Sequence, residues 1–304
     1  MIGCGLLLLY GMPFRVKGLD WALWAALILQ AGLVAWQMVG RDPISFVAGG
    51  TNITVNRSDL ANIDIVHYAW GSLLNTGRTA AWAALVLPVA ALSKRLPAWA
   101  RVSGLLAGLF VLDAMGSILG YLAAAFALGA YLYHRRIVSG RTAIILCGVF
   151  LFTFSVLAFQ HGETAQRRVQ VWKAAVWWMQ HSRPNEWVFG KGLGGFAELD
   201  IRDPEHPKKF IVWKKAHNEF VQLGVEAGAV ALALFLGLWI ASFRTAARAR
   251  DGGVTLASLA ALAVIASGHF PFREPTLAIL SLSVLARVLS WEHLTCPKTA
   301  AISV

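Results

Sequence analysis

The sequence is poor in charged residues: only 14% of its 304 residues are Asp, Glu, Lys or Arg, whereas 57% are hydrophobic. A soluble globular domain carries about 25% charged residues, so this composition excludes soluble enzymes, coiled coils and disordered tails. Cysteine is also scarce, and Cys4, Cys147 and Cys296 have no CxxC spacing that would indicate a disulfide framework or a zinc site. No internal repeat or low-complexity linker divides the chain, so residues 1–304 are expected to form a single transmembrane domain.

Long hydrophobic runs are what the sequence has instead. About 20 apolar residues span a bilayer. The runs that suit a span are 19–39, 79–92, 101–133, 142–160, 218–243, 254–270 and 275–290. The run 101–133 is long enough for two spans, with a turn at residues 115–117. The apolar residues 1–11 lack a cationic region and are interpreted as a retained membrane segment. These features predict an all-α polytopic integral membrane protein with about eight transmembrane segments.

The basic residues predict the orientation of these spans. The chain has 27 Lys and Arg against 16 Asp and Glu, a net charge of +11. If 101–133 forms a hairpin, four basic connections fall on one side, which the positive-inside rule makes cytoplasmic. These connections contain Arg15/Lys17, Lys94/Arg95/Arg101, Arg135/Arg136/Arg141 and Arg244/Arg248/Arg250. The large loop 161–216 then faces outward, although it holds ten Lys and Arg against six acidic residues. An excess of positive charge on the outer face indicates an anionic ligand.

The first part of this loop has the pattern of an amphipathic helix. Four residues of the segment 164–182 recur at helical spacing: Arg168, Trp172, Ala175 and Met179. A helix so rich in tryptophan typically lies in the headgroup layer of the membrane. Arg168, or Arg167 beside it, is a candidate phosphate ligand because the planar guanidinium binds phosphate through two hydrogen bonds.

A glycine-rich segment follows, residues 189–196, which reads FGKGLGGF and formally matches GxGxxG. No strand–helix unit surrounds it, and Lys191 is not followed by Ser or Thr, so a nucleotide site is not expected. The segment is interpreted as an external turn that allows close approach of another backbone.

The most informative stretch is 216–228, AHNEFVQLGVEAG, at the outer end of an apolar run. Three of its polar residues share one helical face: Glu219, Gln222 and Glu226. Such a face is costly in lipid and should line a protein interior or a water-filled cavity. Asn218 is a candidate N-cap, at a helix N-terminus that favours bound phosphate. His217 is the candidate catalytic base, and Lys214 and Lys215 before it are candidate anion ligands.

Taken in order, these motifs resemble the O-antigen ligase and O-antigen polymerase superfamily of bacterial envelope glycosyltransferases. The matching pieces are residues 74–81 (LNTGRTAA), 115–120 (MGSILG), Arg168 with Trp172, residues 190–196, and His217-Asn218 with Gly228. The similarity covers about residues 72–243, which form the ligase-like core, and the resemblance makes 161–216 the family's large periplasmic loop.

The resemblance implies transfer of a glycan from an undecaprenyl-diphosphate carrier to an acceptor on the periplasmic face of the bacterial inner membrane. Ligases use the lipid A core as acceptor, polymerases use another repeat unit, and relatives use protein side chains. The motifs do not separate ligase from polymerase, and the ligase is favoured. The resemblance implies that neither a metal nor a nucleotide sugar is needed. No cofactor and no nucleic acid partner are expected, and membrane lipids are expected to surround the protein. His217 would be the catalytic histidine, and Arg168, with Arg167 as the alternative, would bind the diphosphate.

Two features depart from the family pattern. Ile118 follows Ser117 where the family usually has arginine, so one expected phosphate ligand is missing. Arg78 and Arg273, both near outward ends of spans, are candidates to replace it. The predicted spans are also fewer than in most family members. A non-enzymatic transporter of lipid-linked sugar and an inactive homologue therefore stay as alternatives, although the related halves typical of transporters are not seen.

Overall fold

The computed structural model describes residues 18–39, 71–73, 75–142, 163–199, 215–249 and 252–295, together with residues 145 and 148. The retained segment predicted at 1–11, most of the run 142–160, the three cysteines and Lys214 lie outside the described residues.

All regular structure in these ranges is helical, which confirms the all-α prediction. The α-helices are α1 (Leu19–Met38), α2 (Thr76–Leu92), α3 (Ala98–Ala114), α4 (Ile118–His134), α5 (Glu163–His181), α6 (Pro184–Phe189), α7 (Glu219–Arg248), α8 (Gly253–Gly268) and α9 (Pro275–Thr295). One 3₁₀ turn, Gly195–Glu198, follows α6.

Two of the described helices, α1 and α7, are long and apolar enough to cross a membrane. Four further apolar segments are shorter: α2, α4, α8 and Pro275–Val288 within α9. The run 101–133 is broken as predicted, because α3 ends at Ala114 and α4 begins at Ile118, with Gly116 between them at φ 55°. The count of about eight spans stays a prediction.

The chain divides into two compact units. The first, Val16–Ala124, packs α1, α2 and α3 together. Buried glutamines of α1 hold the segment that leads into α2: Gln37 Oε1 accepts from the Gly71 N–H at 2.7 Å, and Gln30 Oε1 accepts from Ser72 Oγ at 2.5 Å. The second unit contains the described residues from Ala125 onward, and the candidate site lies within it.

Helix α7 is interrupted at Gly228, which has φ 78° and ψ −176°. An interruption there disturbs the helical hydrogen bonds to the carbonyls of Val225 and Glu226, which would come from residues four positions later. The glycine-rich turn supplies donors instead: the Lys191 N–H donates to Val225 O at 2.8 Å and the Gly192 N–H to Glu226 O at 3.0 Å. The predicted close backbone approach of this turn is confirmed.

We expect Gly228→Ala to lower the free energy of unfolding by at least about 1–3 kcal/mol. A Cβ atom at Gly228 would lie 2.2 Å from Val188 O, and its φ and ψ belong to a region that only glycine adopts readily. Unfolding of the purified protein in detergent measures the effect. Gly237→Ala is the matched control in the same helix, since its Cβ would meet nothing within 4 Å. Equal losses of stability in the two variants would contradict this account of the break.

Candidate functional site

Helix α5 packs one face against the start of α7. Its residues Val171 and Ala175 form a small buried core with Phe196, Ala216 and Val225. The helix predicted over 164–182 is therefore present, with an inward face. The opposite face includes Trp177, whose surface is 61% exposed. The core buries the residue immediately before His217 and thereby fixes where the histidine emerges.

Ala216 is held from both sides by side chains. Trp172 Nε1 donates to Ala216 O at 2.7 Å, and the Ala216 N–H donates to Gln222 Oε1 at 3.0 Å. The next residue, His217, has φ 53°, which is uncommon for a residue other than glycine. Such a conformation persists where surrounding contacts enforce it, and strained residues of this kind concentrate at functional sites.

Asn218 caps α7, as predicted. Its Oδ1 accepts from the N–H groups of Phe220 and Val221 at 3.0 and 3.1 Å, and its Nδ2 donates to Ser267 O at 2.9 Å. Both ends of the amide thus have protein partners, and the cap occupies two of the N–H groups at this helix terminus. Diphosphate binding by Asn218 itself stays a prediction.

Arg168 and Asn218 bind two neighbouring backbone carbonyls. Arg168 Nη1 donates to Gly268 O at 3.2 Å, whereas Asn218 binds the carbonyl of Ser267. Both side chains are therefore anchored at the C-terminal end of α8. Arg168 Nε is buried and makes no hydrogen bond within the described part of the chain. A buried guanidinium donor without a protein partner suits an anionic ligand. Arg167 lies in the same helix, but its side chain is outside the described structure.

The His217 imidazole is half-buried between aromatic rings and cations. Its ring centroid lies 4.8 Å from that of Phe270 and 6.3 Å from that of His269. Burial, and after it the positive charges of Arg168 and Lys215, lower the pKa of His217 to about 4. His217 is therefore neutral at pH 7 and has a lone pair with which to accept a proton.

Lys215 stands beside this histidine. Its Nζ lies 4.4 Å from the centroid of the Phe270 ring and 3.5 Å from Glu274 Oε1. The Lys215 side chain is 42% exposed, so its charge is available to a ligand as well as to Glu274.

Arg273, a predicted anion ligand, is bound to acidic residues of α7. Its Nε lies 3.1 Å from Glu219 Oε2 and its Nη1 lies 2.8 Å from Glu226 Oε2. Glu219, Gln222 and Glu226 are each at least 96% buried, which confirms that this helical face lines a protein interior.

Arg78, a further predicted anion ligand, belongs to the other compact unit. Arg78 is exposed in the first turn of α2, within the other unit, and its N–H donates to Asn75 Oδ1 at 3.0 Å. Its predicted role as a replacement for the family's arginine stays a prediction. Among the described residues, no group of three or more His, Cys, Asp or Glu could hold a metal ion. The anchoring carbonyls of Ser267 and Gly268 had no signal in the sequence, because any residue supplies a carbonyl.

We expect the reactivity of His217 toward diethyl pyrocarbonate to fall as the pH decreases through about 4, its pKa in this environment. The neutral imidazole is the reactive nucleophile, so protonation stops the modification. Peptide-resolved mass spectrometry of the folded protein measures the midpoint. Arg168→Gln removes a neighbouring positive charge and should move the midpoint upward. A wild-type midpoint near the ordinary histidine value of about 6.5 would contradict the described environment.

Comparison with known families gives one result that bears on this site. A family model described as O-antigen ligase matches residues 65–236, which is more than half of the chain. The matched residues include Arg168, the glycine-rich turn and His217, and they overlap the residues 72–243 over which the motifs were found. A comparison with curated proteins found no match.

Proposed function

Since the chain belongs to the O-antigen ligase family, we propose that it transfers a glycan from an undecaprenyl-diphosphate carrier to the lipid A core, on the periplasmic face of the bacterial inner membrane. Family membership and the apolar helices make it a bacterial membrane protein of the kind that carries out ligase or polymerase chemistry. The observation that most supports transfer is the placement of Arg168 beside a neutral His217, because the buried Arg168 Nε has no hydrogen-bond partner among the described residues.

The proposed reaction forms a glycosidic bond and breaks the bond between the glycan and the diphosphate, with transfer of one proton. The acceptor hydroxyl oxygen attacks the anomeric carbon of the glycan, and His217 takes the hydroxyl proton as general base. The bond from that carbon to the diphosphate oxygen breaks, and undecaprenyl diphosphate leaves with the electron pair. Arg168 and Lys215 stabilise the negative charge that develops on the leaving diphosphate. Each group acts from the position given by its contacts with α8 and with Phe270.

Binding of the donor should make His217 a stronger base. In the free protein the two cations contribute to its low pKa. A diphosphate bound between them supplies negative charge, which favours the protonated imidazole and raises the pKa of His217 toward its ordinary value. The histidine then takes up its proton most readily when the carrier is in place.

The proposal is tested in membranes of a bacterium that lacks its own O-antigen ligase but still makes the carrier-linked glycan. Lipopolysaccharide and lipid-linked pools are resolved by gel with and without this protein. Glycan on the lipid A core supports the ligase. Longer glycans on the carrier would assign the polymerase function instead. Movement of the carrier-linked glycan across the membrane without any new glycosidic bond would assign the transporter, and no change in either pool would favour the inactive homologue.

A further inference from the structure

Arg273 is built into a chain of side-chain contacts rather than left open to a ligand. Its Nε and Nη1 bind carboxylate oxygens of Glu219 and Glu226, two residues almost completely buried in α7. The second oxygen of Glu219, Oε1, accepts from the Phe272 N–H at 3.1 Å. Arg273 therefore ties the turn before α9 to the polar face of α7. A buried carboxylate requires such a partner because an unpaired charge inside a protein is very costly.

The contacts continue from Glu226 to the peptide before His217. Glu226 Oε1 accepts from Gln222 Nε2 at 2.9 Å, and Gln222 Oε1 accepts from the Ala216 N–H at 3.0 Å. Three successive contacts thus join the Arg273 guanidinium to the backbone of the residue that precedes the histidine.

Glu226 determines the order of donors and acceptors in this chain. A carboxylate oxygen accepts hydrogen bonds, so Gln222 turns its NH₂ group toward Glu226 and its oxygen toward the Ala216 N–H. Arg273 Nη1 lies 2.8 Å from Glu226 Oε2, the second oxygen of that carboxylate, and holds the group in place. Without this contact the position of the carboxylate is no longer fixed, and neither are the orientation of the Gln222 amide and its hydrogen bond to Ala216.

The consequence falls on His217, whose φ of 53° depends on its surroundings. We propose that Arg273 is a positioning residue for His217, acting through Glu226 and Gln222, and that it is not a diphosphate ligand. The inference rests on the proposed function for its effect on catalysis. The contacts themselves, and their effect on the exposure of the histidine, are independent of any activity.

The test uses the full-length protein in detergent and three variants: Arg273→Gln, Gln222→Met and the control Arg244→Gln. Gln222→Met keeps the Arg273 ion pairs and breaks the chain at its middle, because it removes both the donor to Glu226 Oε1 and the acceptor of the Ala216 N–H. Arg244 is exposed near the far end of α7. Modification by diethyl pyrocarbonate at neutral pH is measured for His217 relative to His134, whose Nε2 lies 2.9 Å from Ala249 O in the same unit.

Arg273→Gln and Gln222→Met are each expected to raise the His217 to His134 ratio about 5–30-fold, the effect of losing one buried interaction on a local equilibrium. Arg244→Gln should leave the ratio at the wild-type value. An unchanged ratio in Gln222→Met overturns the proposal. If Arg273→Gln unfolds the protein, the modification of His217 and of His134 rises together. The His217 to His134 ratio of Gln222→Met then tests the proposal.

Binding and turnover separate positioning from ligand contact. With undecaprenyl diphosphate as the probe, Arg273→Gln should keep its Kd within about threefold of wild type, whereas Arg168→Gln should raise it about tenfold or more. The kcat of Arg273→Gln for glycan transfer should fall about 10²-fold at a nearly unchanged KM for the donor. A loss of binding as large as that of Arg168→Gln, with no change in the His217 ratio, would make Arg273 a ligand and overturn the proposal. Absence of transfer by the wild type would instead refute the proposed function and leave the modification result intact.

Discussion

Replacement of His217 by asparagine is expected to lower the rate of glycan transfer about 10²–10⁴-fold, the usual contribution of a general base. Asparagine is the informative substitution because it tolerates the left-handed conformation that His217 adopts at φ 53°. The variant therefore removes the base and keeps the loop. Transfer is measured in membranes that lack the host ligase, at equal amounts of protein.

His181→Ala is the matched control for this prediction. His181 is exposed at the C-terminal end of α5, where its ring stacks on Trp177 at 4.4 Å, and it has no place in the proposed site. We expect transfer at nearly the wild-type rate. A His217→Asn protein that transfers glycan as fast as the His181→Ala protein would remove His217 from the mechanism.

Replacement of Arg168 by glutamine is expected to lower kcat about 10²–10³-fold, the effect of removing one donor that stabilises developing charge. The substitution removes the positive charge, the buried Nε donor and the Nη1 contact with Gly268 O. The kcat of Arg168→Lys should lie between those of the wild type and Arg168→Gln, because an ammonium group keeps the charge and loses the two-point geometry of the guanidinium. Initial rates with a purified carrier-linked glycan measure the series.

Lys173→Gln is the control for Arg168. Lys173 is exposed on the same helix, and its replacement by glutamine changes the net charge by the same amount as Arg168→Gln. A purely long-range effect of charge would lower transfer similarly in both variants and would depend strongly on salt. That outcome would assign Arg168 to the general field of the loop instead of to the diphosphate.

Local features of the site could be predicted from the sequence because they depend on residues close together in the chain. The spacing of Glu219, Gln222 and Glu226 places them on one face whatever the fold, and Asn218 precedes them in the position of a cap. The turn at residues 115–117 was predictable for the same reason, since it interrupts a run too long for one span.

Long-range features could not be predicted in this way. Arg168 reaches the His217 segment because the C-terminal end of α8 offers two successive carbonyls, which no side-chain pattern reveals. The ion pairs of Arg273 are of the same kind. Arg273 binds Glu219 and Glu226 of α7, far away in the sequence, because burial of these carboxylates requires a cation.

The break in α7 combines a local feature that the sequence shows with a long-range contact that it does not show. Gly228 and the glycine-rich turn were each visible in the sequence, and close approach to a backbone was expected of the turn. The backbone of Gly190 lies against Glu226, and the backbone of Gly228 lies against Val188. These contacts join segments that are more than thirty residues apart in the sequence. Only the fold supplies that pairing.

The most direct test of the central claim is a reaction with purified components: this protein in lipid nanodiscs, an undecaprenyl-diphosphate-linked glycan, and lipid A core as acceptor. Glycosylated acceptor and released undecaprenyl diphosphate are quantified together. The account predicts that the wild type forms glycosylated acceptor and free undecaprenyl diphosphate in equal amounts. His217→Asn should form each product much more slowly than the wild type. Binding of the carrier by the wild type without release of undecaprenyl diphosphate, or undiminished release by His217→Asn, would contradict it.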